Sequence, residues 1–304
     1  MRFVHLFFSL ISLFMAFALF FYFIFPFGEI RFGAERNPEF SVGNISTEMQ
    51  FYKNMRFSNP EISYKIENNC SLEKKNKMKR AFDYMTNLTI LNFYPVNGNE
   101  EITVSCEEKT KPSGNGFFVA GEGGPTKIIA GDNFYVIFKG EILLLRDSKC
   151  ENPNIEIHEL LHVLGFNHSQ NKNNIMYPVS DCSQTIGNEI PEKLNELYSF
   201  PSYPDLKIGN VSADILGRYL NINLSVENIG LKDSQSERII IYADGEKIKE
   251  TKLDGIKIGE QLGVQITNIF VMKIKIENLK IIVETDSNEL SLENNQITLT
   301  RLPD

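Results

Sequence analysis

The feature that most constrains this chain is a cluster of histidines in one short segment. Three of the four histidines lie in the run HELLHVLGFNH, which extends from His158 to His168. A helix places residues four apart on one face, so His158 and His162 can hold one metal ion from successive turns. Gly165 can adopt the positive φ that ends a helix, which lets His168 approach the same ion. The run therefore predicts a helix, a sharp turn and three imidazole ligands.

The alternative is a chance match, because the pattern HExxH alone also occurs on buried amphipathic helices. Here the glycine and the third histidine meet two further, independent requirements, and the remaining histidine, His5, lies in an apolar segment. Three nitrogen ligands with an open fourth position are what catalytic zinc uses. We therefore predict a single catalytic zinc ion held by the three histidines, with Glu159 beside it as the base.

A second motif follows the histidines. The run Asn174-Ile175-Met176-Tyr177-Pro178 comes shortly after His168. Together the two motifs resemble the metzincin metallopeptidases, whose HExxHxxGxxH signature precedes a methionine-containing turn, and they are most similar to the matrixin branch. The resemblance implies that Met176 forms an apolar floor under the imidazoles and that Tyr177 and Pro178 form a wall of the substrate pocket. An ordinary core methionine is the alternative for Met176.

The resemblance implies peptide hydrolysis of extracytoplasmic proteins by a zinc endopeptidase. Zinc lowers the pKa of a bound water, Glu159 accepts its proton, and the hydroxide attacks a peptide carbonyl. One alternative is a surface adhesion protein with a vestigial metzincin domain, which the intact Glu159 disfavours. Another is a metallo-aminopeptidase related to the archaemetzincins, which carry more cysteines after the motif than the single Cys182 here. The matrixin resemblance also implies calcium as a support of the fold, although no contiguous calcium loop stands out.

The amino terminus is strongly apolar. Residues from Phe3 to Phe27 form a nearly continuous apolar run, long enough to cross a bilayer at ~1.5 Å per residue. It is longer than the apolar core of a signal peptide and lacks a small-x-small cleavage site. We predict an uncleaved transmembrane signal anchor in residues 1–27, which holds the following residues outside the cell, and a stalk in residues 28–58. Cleavage of the anchor would instead give a secreted protein.

The cysteines agree with an extracellular location. Cys70, Cys106, Cys150 and Cys182 form an even set without a CxxC pair, which favours disulfides over a metal site. We favour the pairs Cys70–Cys106 and Cys150–Cys182, because the second would clamp the residues that flank the active-site helix and the methionine turn. Four reduced buried thiols are the alternative. The net charge of −8, without a basic cluster, excludes a nucleic-acid partner.

Residues 59–202 are predicted to form the metzincin-like domain, a twisted mixed sheet with three helices. Alternating and helical patterns predict the strands Ile62–Ile66, Thr89–Phe93 and Glu101–Cys106 and the helices Ser71–Thr86 and Ile190–Phe200. The glycine-rich stretch Ser113–Pro125 is interpreted as a mobile loop. Phe134–Phe138 and Glu141–Leu145 are predicted to form a hairpin around Lys139-Gly140. Glu141–Leu145 is our candidate for an edge strand that pairs with an extended peptide substrate.

Residues 203–304 change character to short alternating runs separated by turns, which predicts a β-sandwich. Pro204-Asp205-Leu206 and the segment from Glu289 to Asn295 resemble the cell-adhesion-related domains found in bacteria, an immunoglobulin-like family. The whole chain is thus expected to be α+β, with a transmembrane helix, a metzincin domain and an all-β sandwich. The expected partners are a protein or peptide substrate, the membrane and, for the sandwich, a cell-surface ligand. Presentation or stabilisation of the catalytic domain are the other roles open to the sandwich.

Overall fold

The computed structural model describes residues 2–24, 29–34, 41–42, 49–114, 117–147, 149–273 and 275–303. The chain divides into two compact units. We call Ser41–Pro204 with Ile229–Lys232 the mixed unit, because it contains helices and a sheet. We call Met1–Phe40, Asp205–Asn228 and Asp233–Asp304 the β unit, because its sheet is entirely antiparallel.

The amino-terminal apolar run forms a helix, α1 (Arg2–Ile24). The described side chains of residues 7–20 are exposed. Judged on the part of the chain that the structure describes, no helix has the length and apolarity that a membrane crossing requires. The transmembrane anchor predicted for residues 1–27 is therefore not confirmed and stays a prediction.

The segment predicted as a stalk contains two strands. β1 (Glu29–Ala34) pairs with strands of the β unit on both of its edges, and β2 (Met55–Phe57) belongs to the sheet of the mixed unit. A strand as short as β1 gives little periodic signal, because Phe32 is its one fully buried described side chain. Its place is set by backbone hydrogen bonds to two neighbours that lie far away in the sequence.

The mixed unit contains both helices and strands. After β2 its elements are β3 (Glu61–Ile66), α2 (Leu72–Leu88), β4 (Asn92–Pro95), β5 (Ile102–Cys106), β6 (Lys111–Gly114), β7 (Phe117–Val119), β8 (Gly121–Ala130), β9 (Tyr135–Leu144), α3 (Asn154–Val163) and α4 (Glu189–Leu197). Its mixed sheet has the strand order β2-β9-β5-β3-β4, with β8 antiparallel to β9. The predicted α+β class is confirmed for this unit.

Local sequence explains helix α2. Ser71 is its N-cap, with a side chain that accepts a hydrogen bond from the backbone N–H of Lys74. Met78, Phe82 and Met85 lie on one face and are buried, as their spacing predicts. The face packs on the sheet, where the ring of Tyr64 stacks on Phe82 with centroids 4.0 Å apart.

The hairpin predicted around Lys139-Gly140 is wrong, since β9 runs without interruption through both residues. A Cβ at Gly140 would lie 2.4 Å from Cγ1 of Val163. The glycine therefore makes room for helix α3 and does not form a turn. Glu141–Leu145 is also not an edge strand, because β5 pairs with one side of this stretch and β8 with the other.

The mobile loop predicted for Ser113–Pro125 is wrong for the described residues of this stretch, and Asn115 and Gly116 lie outside them. The second half of the stretch lies in β8, which pairs with β9 along its length, and β6 pairs antiparallel with β7. A Cβ at Gly121 would lie 2.8 Å from Cγ of Glu159, and one at Gly123 would lie 2.3 Å from the backbone oxygen of Glu159. These glycines let β8 cross directly over α3, so they serve close packing and not flexibility.

A buried arginine holds β2 to the end of the mixed unit. Arg56 lies under Tyr198, with its guanidinium carbon 4.1 Å from the ring centroid. Its nitrogens donate to the backbone carbonyls of Leu197 and Phe200 at 2.6 and 3.0 Å. Burial is the larger influence on this group and lowers the pKa of Arg56. The hydrogen bonds from the guanidinium to these carbonyls therefore take the place of water around the buried charge.

The β unit confirms the predicted β-sandwich. Its strands are β10 (Leu206–Leu216), β11 (Tyr219–Asn228), β12 (Glu237–Ala243), β13 (Glu246–Leu253), β14 (Gln261–Phe270), β15 (Asn278–Glu284) and β16 (Gln296–Arg301). They lie in the order β13-β12-β15-β16-β1-β10-β11-β14 around one apolar core. Asp244 and Gly245, with φ of 46° and 84°, form the turn between β12 and β13. β13 gave no sequence signal because most of its side chains are exposed on both faces.

Candidate active site

Helix α3 carries the first part of the site and lies in the interior of the mixed unit. All its residues, from Asn154 to Val163, are buried. Leu160, Leu161 and Val163 pack into the core, while His158, Glu159 and His162 turn toward a cleft. The apolar residues between the polar ones thus fix the direction in which the polar side chains point.

The end of α3 has the geometry that the glycine predicts. Gly165 has a φ of 95°, and its N–H donates to the carbonyl of His162 at 3.0 Å. The N–H of Phe166 donates to the carbonyl of Leu161, also at 3.0 Å. This pair of bonds is a Schellman motif. It reverses the chain and brings His168 back beside the helix.

The three histidines converge on one point. The Nε2 atom of His162 lies 3.0 Å from Nε2 of His158 and 3.2 Å from Nε2 of His168. The other ring nitrogen of two of these histidines contacts a backbone carbonyl. Nδ1 of His158 lies 2.6 Å from the carbonyl oxygen of Ile175, and Nδ1 of His162 lies 2.8 Å from that of Phe166. A carbonyl requires a donor, so both Nδ1 atoms carry hydrogen. The converging Nε2 atoms of these two rings therefore present lone pairs.

The environment keeps the imidazoles neutral. Burial lowers the pKa of His162 to about 4, and the neighbouring His158 adds to this shift. Burial also lowers the pKa values of His158 and His168. Neutral imidazole is the form that binds a metal ion.

The third histidine is held by a segment that the sequence analysis did not single out. The N–H of His168 donates to the side-chain oxygen of Asn167 at 2.8 Å. The N–H of Asn167 in turn donates to the carbonyl of Met49 at 2.6 Å. The ring of Phe51 stacks on His162 with centroids 5.9 Å apart. Residues 49–51 therefore brace the turn that carries His168.

The methionine turn lies against the same helix. Met176 is fully buried in the core, and its N–H donates to Oδ1 of Asn174 at 2.8 Å. The side-chain amide of Asn174 donates to Glu189 at 2.6 Å, which fixes the turn to the start of α4. Through the carbonyl of Ile175 the turn also orients His158.

A disulfide joins the two ends of this region. Cys150, before α3, is bonded to Cys182, after the methionine turn, and Cys70 is bonded to Cys106. These are the pairs that the sequence analysis favoured. The amide of Asn154 donates to the carbonyl of Asp181 at 2.9 Å beside the second disulfide. The start of α3 and the chain after the turn are therefore doubly connected.

The side chain of Glu159, on α3, faces β8 and lies close to Gly121. Burial raises the pKa of Glu159 to about 8, and the carboxylates of Glu122 and Glu156 add to the shift. A hydrogen bond from the backbone of Gly123 acts in the opposite direction. A divalent cation at the histidines would also favour the ionised form, because opposite charges attract more strongly in a site of low dielectric constant.

A cleft of about 790 Å³ opens over these groups. The three histidines and Glu159 line it, as does Pro178 of the predicted pocket wall, whereas Tyr177 is not among its described lining residues. Val179 and Ser180, which follow Pro178, also line the cleft. The sequence did not predict the other lining residues, which include Ala120–Gly123 at the start of β8, Arg146 and Asp147. Gly121 and Gly123 are two residues apart, which places both on one face of a strand. This spacing was the sequence signal for a close contact of that face with another element.

Comparisons with known proteins found two family matches and several similar solved structures. Residues 56–194 match the family Matrixin, and residues 203–298 match the family CARDB. The CARDB domain of a Pyrococcus furiosus protein, solved in complex with di-metal ions, is 14% identical, with 33% of this chain and 90% of that one covered and a TM-score of 0.27. High choriolytic enzyme 1 of the medaka fish Oryzias latipes, a hatching enzyme zinc-protease, is 22% identical, with 36% of this chain and 46% of that one covered and a TM-score of 0.24. No curated protein matches the chain.

Proposed function

Because the chain carries a matrixin domain followed by a CARDB domain, we propose that it is a zinc-dependent endopeptidase that cleaves extracytoplasmic proteins. The observation that carries this proposal is the convergence of His158, His162 and His168. Their ligand atoms all lie within 4.8 Å of one another. The matrixin match, which covers residues 56–194, includes all three.

The donor set fits zinc. The Nε2 atoms of His158 and His162 both present lone pairs yet lie 3.0 Å apart, an arrangement that repels unless a cation lies between them. Zinc–nitrogen bonds of about 2.0–2.1 Å in a tetrahedral site require nitrogens about 3.3 Å apart, close to the spacing here. The carbonyl partners of the Nδ1 atoms orient the rings, as partners of zinc-bound histidines do. The cleft leaves room for a further ligand on the open side.

The zinc ion, Glu159 and β8 have separate roles in the proposed hydrolysis. Zinc, when bound, supplies a Lewis acid that polarises a peptide carbonyl and makes water more acidic. Glu159 accepts a proton from the attacking water and returns it to the leaving amine. β8 pairs with β9 on one edge, and among the described strands none pairs with its other edge. Residues Gly121–Gly123 of β8 line the cleft. We infer that an extended substrate pairs with this edge of β8, in place of the Glu141–Leu145 strand.

The test is zinc content together with cleavage of denatured casein by the full-length protein. We expect about one zinc ion per chain in both the wild type and Glu159→Ala, with cleavage in the wild type alone. The matched control is Glu151→Ala, which removes an exposed glutamate just before α3 that is not among the described lining residues of the cleft. This control should keep both zinc and activity.

Each other result has a definite meaning. Cleavage by Glu159→Ala would refute the assignment of the base. A wild-type protein without zinc would refute the metal site and favour the adhesion protein with a vestigial metzincin domain. The intact Glu159 and the open cleft count against that alternative.

We further propose that the protein acts outside the cytoplasm, anchored through residues 1–27. The two disulfides support an oxidising compartment. Extraction of cell membranes with alkaline carbonate tests the anchor: the full chain should stay in the pellet, and a variant without residues 2–24 should be released. Release of the full chain would refute anchoring but would leave the peptidase proposal intact.

A further inference from the structure

The cleft contains one cationic side chain besides its histidines, counted over the described residues that line it: Arg146. This residue follows the end of β9 by two positions, and its side chain is exposed. Its backbone N–H donates to the carbonyl of Ala120 at 3.0 Å, and that of Leu145 donates to the same carbonyl at 2.9 Å. These two bonds hold the backbone of Arg146 beside the start of β8, the strand assigned above to substrate pairing.

The guanidinium of Arg146 lies over an aromatic ring of the same cleft. Its carbon atom is 4.7 Å from the ring centroid of Phe118, which also lines the cleft and is 47% exposed. A cation over the face of an aromatic ring is attracted to it. The N–H groups of a guanidinium lie in its plane, so this contact does not use them as donors. The ring therefore limits the movement of a long side chain and leaves its hydrogen-bonding edge to a ligand.

The acidic residues of the cleft do not neutralise this cation. Among the described residues, no carboxylate forms an ion pair with Arg146. Glu122, which also lines the cleft, is paired with Lys111. Burial raises the pKa of Glu156, and Asp147 adds to this shift, so Asp147 lies near a glutamate that is not among the described lining residues. Arg146 therefore presents a positive charge to whatever enters the cleft.

Arg146 also lies close to the point of the proposed hydrolysis. A Cβ at Gly121 would lie 2.8 Å from Cγ of Glu159, so the base faces the first residue of β8. Ala120, whose carbonyl binds the backbone of Arg146, is the preceding residue. An extended chain rises ~3.3 Å per residue. A peptide paired with β8 would thus present to Arg146 a side chain about one to three residues from the scissile bond.

We propose that Arg146 selects peptide substrates with an aspartate or glutamate side chain about one to three residues from the scissile bond. The inference rests on the proposed peptidase function and adds a substrate class to it. A guanidinium can bind a carboxylate through two parallel hydrogen bonds, and such charge-assisted bonds are about twice as strong as neutral ones. Glutamine has the same shape but offers one acceptor oxygen and two donors. The preference for Glu over Gln should be about 10- to 100-fold.

The test measures peptide binding to the zinc-loaded full-length Glu159→Ala protein, which should not cleave the peptides. The probes are fluorescent octapeptide libraries in which one position is Glu, Gln or Lys and the other positions are randomised. Fluorescence anisotropy gives the affinity for each library. At one or more positions the Glu library should bind about 10- to 100-fold more tightly than the Gln library.

Two substitutions of Arg146 in this background test the residue itself. Arg146→Gln should bring the affinities for the Glu and Gln libraries together, and Arg146→Glu should shift the preference to the Lys library. The matched control is Lys149→Gln, which removes an exposed cation of the same segment that is not among the described lining residues. This control should keep the preference for Glu. Zinc content and melting temperature should stay unchanged in all three variants.

A second measurement covers Arg146 variants that do not fold. In the Glu159→Ala protein the preference for Glu should decrease as the salt concentration rises, because ions screen an exposed charge pair. The proposal is overturned if the Glu library binds no better than the Gln library, if the preference is insensitive to salt, or if Arg146→Gln keeps it. Preference for the Lys library would overturn it as well and would assign selection to Asp147.

Failure of this inference can be distinguished from failure of the proposed function. A wild-type protein that does not cleave casein would refute the peptidase, whereas the peptide affinities of Glu159→Ala would still report on Arg146. Cleavage of casein together with equal affinities for the Glu and Gln libraries would overturn the role of Arg146 alone. Loss of the preference in Lys149→Gln would also overturn it, because the effect would then come from the net charge of the segment.

Discussion

Replacement of Gly165 by alanine tests the turn that delivers the third histidine. With a φ of 95°, an L-residue at this position is strained, which costs about 1–2 kcal/mol. The added Cβ would also lie 2.9 Å from Cγ and Sδ of Met55, and such overpacking costs about 1–3 kcal/mol. Because the Met55 side chain is flexible, part of the overlap can relax. We expect a total loss of about 2–4 kcal/mol in the free energy of unfolding of the mixed unit.

The turn also positions His168, so the same substitution should weaken zinc binding by on the order of tenfold or more. Urea unfolding followed by circular dichroism measures the stability, and competition with a chelating dye measures zinc affinity. Gly98→Ala is the control, because a Cβ there meets nothing within 4 Å. Gly217→Ala in the β unit, with a φ of 65° and open space, gives the backbone cost alone, measured on the unfolding of that unit. Wild-type stability and zinc affinity in Gly165→Ala would refute the reasoning.

Three further substitutions test other contacts. Gly123→Ala places a Cβ 2.3 Å from a backbone oxygen of α3 and should lower kcat/KM by on the order of 100-fold without loss of zinc. The control Gly124→Ala, whose Cβ meets nothing within 4 Å, should keep the wild-type kcat/KM. Equal activity of the two variants would contradict the packing of β8 on α3. Replacement of both Cys150 and Cys182 by serine removes a disulfide between residues 32 positions apart. The free energy of unfolding measured in urea should fall by about 3–4 kcal/mol. An unchanged free energy of unfolding would indicate that the disulfide does not stabilise the fold. Arg56→Lys keeps the positive charge but removes the guanidinium N–H groups that donate to the backbone carbonyls. Thermal unfolding should show a free energy of unfolding lower by about 2–3 kcal/mol. An unchanged melting temperature would mean that these carbonyls do not need the guanidinium as a donor.

Much of the candidate site could be predicted from sequence because its geometry is local. The spacing of His158 and His162 is a property of any helix, and a glycine after a helix commonly adopts the φ of Gly165. The cap at Ser71 and the turn at Asp244-Gly245 are local in the same sense. In each case the interacting atoms are separated by only a few residues.

The errors share one physical cause. Gly121, Gly123 and Gly140 were interpreted as a mobile loop and a turn, because glycine in sequence indicates backbone freedom. In the structure all three lie in strands where α3 approaches too closely for a side chain. The same residue type serves both purposes, and the neighbour that distinguishes them is distant in the sequence.

The sequence by itself determined the chemistry of this protein: which side chains offer nitrogen to a metal, which carboxylate lies beside them, and which residues can end the helix that carries them. Only the tertiary structure decided what surrounds that chemistry. It placed β8 against Glu159, residues 49–51 against the turn that carries His168, and β1 within the sheet of the β unit. Ligand spacing is set by the period of a helix, whereas these contacts join segments far apart in the chain and form only when the core is packed.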